Sequence, residues 1–446
     1  VSQLLELAEK VAAEARGGEA VEVYASRNRR TTVTVQGGKV EAVEQATSAG
    51  VGVRVVVDGR QGFAWTGVVD ETSIADALAD ARDNAVHGTP DNANAIASPD
   101  GVAFTPQPGP DDDLGRITTD ERIALALEIE RIALGRDPRM RGARAAEWVD
   151  VVGESAVATS TGIRASESGS AWVASADVMA GEGDEVQAGW SVAIGRAKDE
   201  IDVEPVGREA ADRALALLGA TQPASRRLPI VLDPHVVGSF LGLIGQMVNG
   251  NAVVKGRTLF ADRLGEPVAS PLLSLVDDPT DSASSGTSVH DGEGLACRRT
   301  SIIEGGVLQG FLHATWSARR LGAASTGSAV RDYTSTPGPG ARALILAPGA
   351  TSPEALLAQI GDGLYVTHLA GLHSGTNPVS GDFSVGVSGR MIRDGALAEP
   401  VREATIASTL QRMLLEIVAV GDDRVWLPGG AGVVSLAIGD VTLSGK

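Results

Sequence analysis

Aromatic side chains make up only 3% of the 446 residues, and there is a single cysteine, Cys297. A core this poor in aromatics has to be filled by Val, Ala, Leu and Ile. One cysteine excludes an intramolecular disulfide and fits a reducing compartment. Basic residues are outnumbered, leaving a net charge of −19. That disfavours nucleic acid or an anionic membrane as a direct partner, because phosphate binding needs clustered Lys and Arg. No apolar run approaches the roughly 20 residues needed to span a bilayer. The opening stretch VSQLLELAEKVAAEARGGE is an acidic amphipathic helix without the basic start and continuous apolar core of a signal peptide. A cytoplasmic protein is the expectation. The most telling absence is local. Residues 236–250, VVGSFLGLIGQMVNG, read as a buried helix that contains no His, Glu, Asp or Cys. Its apolar stripe is Val236, Val237, Phe240, Leu241, Leu243, Ile244, Met247 and Val248. Gly238, Gly242 and Gly245 on the other side imply close approach of another backbone, since glycine inside a helix costs about 1 kcal/mol relative to alanine.

What the chain does have is glycine, 55 residues of it. That suggests many turns and bulges, hence a large β component. The length exceeds what one core usually supports, so two domains are expected, 1–222 and 223–446. The fold class reads as α+β. An N-terminal α/β domain with antiparallel strands and flanking helices precedes a C-terminal mixed, β-rich domain with a buried helix. Alternating runs VEVYAS, TTVTVQ, KVEAVEQ and VGVRVVV are strands, with Gly37-Gly38 and Asp58-Gly59 as hairpin turns. Helices are expected at about 71–86, 119–134, 208–218, 353–360 and 403–420. The segment 221–229, TQPASRRLP, is the best linker. Asp111, Asp112 and Asp113 close a polar, Pro-rich loop.

Three constellations could carry chemistry. The run DDPTDSASSGTSVHDGEGLACRRTSIIEGG holds Asp277, Asp278, Asp281, His290, Asp291 and Glu293. Oxygen ligands with one His could make a Mg or Mn site. Its Gly- and Ser-rich composition favours instead a loop whose carboxylates pair with Arg298, Arg299 and backbone N–H groups. The run HLAGLHSGTNPVSGD sets His368, His373, Asn377 and Asp382 close together. Zinc there would need three or four convergent groups, which spacing alone does not supply. Cys297 lies near His290, but a reactive thiol needs an electropositive, partly exposed setting. No GxSxG elbow follows a strand, and neither GEGDEVQAG nor STPGPG has the Lys-Ser/Thr ending of a phosphate loop. His235, in DPH, reads as a helix-start residue, and His87 and His313 as structural.

The second half resembles the TldD/PmbA family, also called the modulator of DNA gyrase or peptidase U62 family. The segments that carry the resemblance are the 236–250 helix, KGRTLFADRLGEPVASPLLSLVDDPT, HDGEGLACRRTSIIEGGVLQGFLHATWSARRLG, STGSAVRDYTSTPGPGARALILAPG, GLYVTHLAGLHSGTNPVSGDFSVGVSGRMI and EPVREATIASTLQRMLLEIVAVGDD. QGGKVEAVEQATSAGVGVRVVVDGRQGFAWT extends it into the first half. In that family the TldD kind of subunit binds catalytic zinc through an HExxxH helix and a distant cysteine, and the TldE (PmbA) kind lacks them. Laid on that pattern, the two His positions fall on Leu241 and Gln246 and the Glu position on Gly242. None is a metal ligand or general base. Cys297 does not stand where the distant cysteine would, and SGDFSVGVSG is closer to the TldE kind. The resemblance therefore implies the non-catalytic partner in a heterodimeric, cytoplasmic zinc metalloprotease that acts on unfolded peptides. No metal is then expected in this chain, and zinc belongs to the TldD-like partner. Asp277, Asp278, His290, Asp291, Glu293, Asn377 and Asp382 are left to shape loops or the substrate path. The resemblance leaves open whether an isolated chain pairs with itself as a homodimer.

Overall fold

The computed structural model describes residues 2–446. Six antiparallel strands form the first sheet: β1 (Glu19–Gln36), β2 (Lys39–Val57), β3 (Arg60–Thr66), β4 (Met140–Thr159), β5 (Arg164–Glu182) and β6 (Glu185–Gly195), in the order β3-β2-β1-β4-β5-β6. The four β-rich runs read from the sequence merge pairwise into β1 and β2. Gly37 and Gly38, both at positive φ, make the turn between them. Strand alternation sorts the residues. Val21, Val23, Val51, Val53 and Val55 face helices α1 (Gln3–Ala12) and α2 (Glu71–His87). Trp172, Ala174, Ala176 and Val178 face α3 (Thr119–Leu134) and α4 (Val203–Leu215). The intervening residues Glu22, Tyr24, Gly50, Gly52 and Arg54 point the other way, toward the second half of the chain. A Cβ on Gly50 would run into the Tyr333 ring, and one on Gly52 would stand 2.5 Å from the Tyr333 carbonyl. Glycine there is what lets the second half dock.

The second half opens with β7 (Arg226–Leu232), which leads into α5 (Pro234–Met247). Strands β8 (Gly363–Ala370), β9 (Asp382–Arg393), β10 (Ala396–Thr409) and β11 (Leu436–Ser444) follow. The order β10-β9-β8-β7-β11 is closed by a β10–β11 pairing, so these five strands form a barrel. Only β7 and β8 run parallel within it. A smaller mixed sheet of short strands, among them Leu275–Asp277, Thr300–Glu304 and Leu344–Leu346, lies alongside. Helix α5 joins barrel and small sheet in one core, with Phe240 edge-on to Phe383 of β9 at 6.5 Å between ring centroids. The architecture is α+β.

Several local readings change. Residues 403–420 are not one helix. Strand β10 runs to Thr409, a short helix covers Leu410–Leu415, and a strand covers Ile417–Val420. The β-branched Thr405, Ile406 and Thr409 suit a strand that pairs on both sides. Helix α4 starts earlier than its apolar stripe suggests, because Asp202 caps it and Pro205 is tolerated in its first turn. The linker reading of 221–229 is cut short by β7, which begins at Arg226.

Candidate functional site

Helix α5 starts where β7 ends. Asp233 is its N-cap, accepting the His235 N–H at 3.0 Å, and Pro234 takes the first helical position. The helix is not buried all round. Ser239, Gly242 and Gln246 are exposed, while Leu241 is 0% exposed in the core. Leu241 and Gln246, five positions apart, stand about 140° apart around the helix axis. The glycines do not admit another backbone, contrary to expectation. A Cβ on Gly238 would meet the Leu427 side chain, one on Gly245 would stand 3.1 Å from Leu344, and one on Gly242 would meet nothing. Zinc does not fit this helix. Its outward groups are a hydroxyl and an amide, and its one motif position that turns inward is a hydrocarbon.

The carboxylates of the 277–306 run are spread from the small sheet, at Asp277, to the contact between the two halves, at Glu293. Asp277 accepts the N–H groups of Arg342 at 3.0 Å and Ala343 at 2.7 Å. Asp278 accepts the Thr280 N–H at 3.1 Å and lies 3.6 Å from Arg299. Arg298 pairs instead with Asp100, 2.5 Å away. Asp291 accepts three backbone N–H groups, from Glu293, Leu295 and Ala329, at 2.9, 3.0 and 3.0 Å. His290 donates from Nδ1 to the Asp291 carbonyl at 2.8 Å, leaving Nε2 to accept from Ser155 at 3.4 Å.

Glu293 accepts the Thr315 N–H and hydroxyl, both at 2.8 Å, and an Arg54 N–H at 3.2 Å. Arg54 in turn grips Glu22 through Nε at 3.0 Å and Nη2 at 2.6 Å. Arg331 reaches Glu22 from the second half and lies over the rings of Tyr24 and Phe63, at 5.0 and 5.7 Å. This sealed cluster bridges both halves with four charged side chains. Burial works against the charge on Glu22, but Arg54 and Arg331 outweigh it and hold that carboxyl below its ordinary value. Burial, reinforced by the Glu293 charge, pushes Asp291 up to about 7. Glu293 is raised by burial as well, against the pull of Arg54. Glu22 and Arg54 were not singled out in the sequence. Their signal was a lone charge inside each of the apolar runs VEVYAS and VGVRVVV.

The remaining candidates lie apart. His368, His373 and Asp382 are exposed. Asn377 accepts the Val379 and Ser380 N–H groups, and Asp382 accepts the Ser380 hydroxyl at 2.6 Å, so both organise one surface turn. Cys297 is buried, and burial pushes its thiol up to about 12, which makes it inert as a nucleophile. Among the described residues no three His, Cys, Asp or Glu side chains converge as a metal would need. No described helix is long and apolar enough to cross a membrane.

A second polar cluster, again not foreseen, stands at the start of α5. Arg213 of α4 donates to Glu209 at 2.8 Å, lies 3.2 Å from Asp233 and reaches His235 Nδ1 at 2.8 Å. The Tyr365 hydroxyl donates to Asp233 at 2.8 Å, and the His235 ring stands edge-on to Trp190 at 5.4 Å. Burial opposes the charge of Asp233, but His235, Arg213 and Tyr365 hold its carboxyl down at about 2. Burial and the Asp233 charge push the Tyr365 hydroxyl upward. These groups floor an open groove of about 1070 Å³ between α4 and β6 on one side and α5, β8 and β9 on the other. None of the seven loop or substrate-path residues proposed from the sequence lines it; His368 does. Trp190, an exposed aromatic in a chain with few of them, was the available signal.

Three stretches match the domains of one family: 21–85 the PmbA/TldA metallopeptidase domain 1, 112–218 its central domain, and 225–445 its C-terminal domain. The chain is 29% identical to the metalloprotease PmbA of Escherichia coli, covering 94% of this chain and 92% of that protein. It is also 29% identical to a metalloprotease PmbA homolog of Haemophilus influenzae, covering 95% and 90%. The crystal structure of TldE from Thermococcus kodakarensis superposes with a TM-score of 0.88 at 22% identity, covering 96% of this chain and 97% of that one. That likeness speaks for the fold.

Proposed function

The chain belongs to the PmbA/TldD metallopeptidase family, and from that premise we propose that it is the subunit of the PmbA/TldE kind, which supplies no catalytic metal. In this reading it works in the cytoplasm beside a zinc-bearing TldD-like subunit, as a heterodimer that cleaves unfolded peptides. The observation that carries the reading is α5. Where the resemblance sets two His and a Glu, this helix has Leu241 in the core and Gly242 and Gln246 on its open face. The name PmbA borne by its relatives supports the same assignment. The net charge of −19 speaks against direct action on DNA.

The test is to purify the chain alone and together with its TldD-like subunit, then measure bound zinc and cleavage of an unstructured peptide. Zinc and activity are expected in the pair and in neither assay of the chain alone. Stoichiometric zinc with full activity in the isolated chain would overturn the assignment.

A further inference from the structure

The groove at the start of α5 pairs its charges unevenly. Four acids line it: Asp177, Glu209, Asp212 and Asp233. Each has an arginine within 4 Å: Arg144 at 3.5 Å from Asp177, Arg213 against Glu209 and Asp233, and Arg136 at 2.6 Å from Asp212. Of the lining arginines, Arg144, Arg208 and Arg213 have carboxylate partners. Arg390 has none within 4 Å among the described residues. It donates from Nε to the Ala398 carbonyl at 2.9 Å and from Nη2 to the Leu397 carbonyl at 3.2 Å, so dipoles alone meet its charge. Four acids and four arginines line the groove, but Arg213 serves two of the acids, so Arg390 is left without a carboxylate of its own.

The position of that cation gives it a context. Arg390 on β9 is the cross-strand partner of Tyr365 on β8, so both side chains lie on one face. The Tyr365 hydroxyl reaches Asp233, and Asp233 adjoins His235. His235 Nδ1 lies 2.8 Å from an Arg213 N–H and 3.1 Å from Asp233 Oδ1; where it accepts from Arg213, which has no lone pair to give, the ring proton stands on Nε2. Beside this donor stands Trp190, 45% exposed, as an apolar platform. Ser239 and Ser388 add neutral hydrogen-bonding groups to the lining. The volume exceeds what one amino acid fills and reaches the upper end of small-molecule pockets, roughly 1,000 Å³.

We infer that this groove holds the C-terminal end of an extended peptide, its carboxylate against Arg390 and the His235 Nε2–H and its last side chain on Trp190. The inference rests on the peptide-handling reading for the class of ligand. A charge-assisted contact to a carboxylate is roughly twice as strong as a neutral one, so the free acid should bind about tenfold tighter than the amide.

The experiment titrates one unstructured hexapeptide ending in leucine, as free acid and as C-terminal amide, into the isolated full-length chain. The expected result is an acid preference of about tenfold, lost in Arg390→Gln, with both forms weakened by Trp190→Ala. Equal affinity for the two forms, no binding of either, or an acid preference that survives Arg390→Gln would each overturn it. The acid–amide comparison on the unaltered chain needs no variant to fold. Cleavage by the pair without acid-selective binding to this chain sinks the groove and spares the subunit assignment. Acid-selective binding without cleavage by the pair does the reverse.

Discussion

Two clusters of ions join the first sheet and its helices to the second half of the chain, and they use the same chemistry to different ends. In the sealed one, Arg54 lies between Glu22 and Glu293, with side chains 3%, 0% and 1% exposed. In the open one, Arg213 lies between Asp233 and Glu209, and Glu209 is 41% exposed on a groove. An arginine between two carboxylates is therefore not in itself a site. Where every face is dry, the cluster acts as a clamp and forces neighbouring carboxyls such as Asp291 upward. Where one face is wet, the same arrangement opens Glu209 and Trp190 onto a groove, although Asp233, like Glu22 in the sealed cluster, is held low.

The largest effect should come from breaking the clamp. Arg54→Met leaves Glu293 buried without a cation and Glu22 with Arg331 alone, and removing one partner of a buried ion pair costs about 3–5 kcal/mol. Arg213→Met should cost less, roughly 1–2 kcal/mol, because Glu209 is 41% exposed to water and the buried Asp233 keeps the Tyr365 hydroxyl and the His235 N–H. Urea unfolding of both variants, followed by two probes, checks the order. Equal losses would erase the distinction between clamp and groove.

The second effect is a pH dependence. Asp291 has its folded value raised to about 7, so the fold binds its proton more tightly than the unfolded chain does. Its contribution to stability is full below the unfolded value near 4 and is lost as pH rises through 7. Asp291→Asn does not titrate. It also turns an amide toward three N–H donors, so it should be less stable at every pH. The gap between parent and variant should shrink by something on the order of 2 kcal/mol from pH 5 to pH 7.5. A gap that stays constant or widens with pH would place the titration elsewhere in the cluster.

Part of this comparison was legible before any coordinates. Helix α3 has the bounds its sequence leads one to expect, and in the structure Thr118 and Glu121 close a capping box at its start. The helix at Pro353–Ile360 also matches, with Ser352 as its cap and Pro353 in its first turn. The hairpin turn at Gly37-Gly38 was equally plain. The sealed cluster was half visible. Asp291 and Glu293 stood out among glycines, while Glu22 and Arg54 were hidden in strands whose alternation implied an apolar face but not what covered the other. The open groove was invisible, since Trp190, Arg213, His235 and Arg390 come from four elements that only the tertiary fold brings together. Residues 403–420 misled because their apolar spacing suits a helix locally, while pairing with both β9 and β11 decides for strand.

The smallest expected effect is on the open face of α5, where Gln246 stands. Gln246 is exposed on a well-formed helix, so Gln246→His should change stability by no more than about 0.5 kcal/mol. Leu241→His puts an imidazole into a core position and should cost roughly 2–4 kcal/mol. The informative protein is the double variant. With the Leu241 position seated in the core and Gln246 on the open face, two histidines there do not converge on one ion, and zinc titration should find no tight site. A submicromolar zinc site in the double variant would mean that the helix can turn the Leu241 position outward. The missing ligands would then be a matter of side-chain identity alone, not of how this helix is seated.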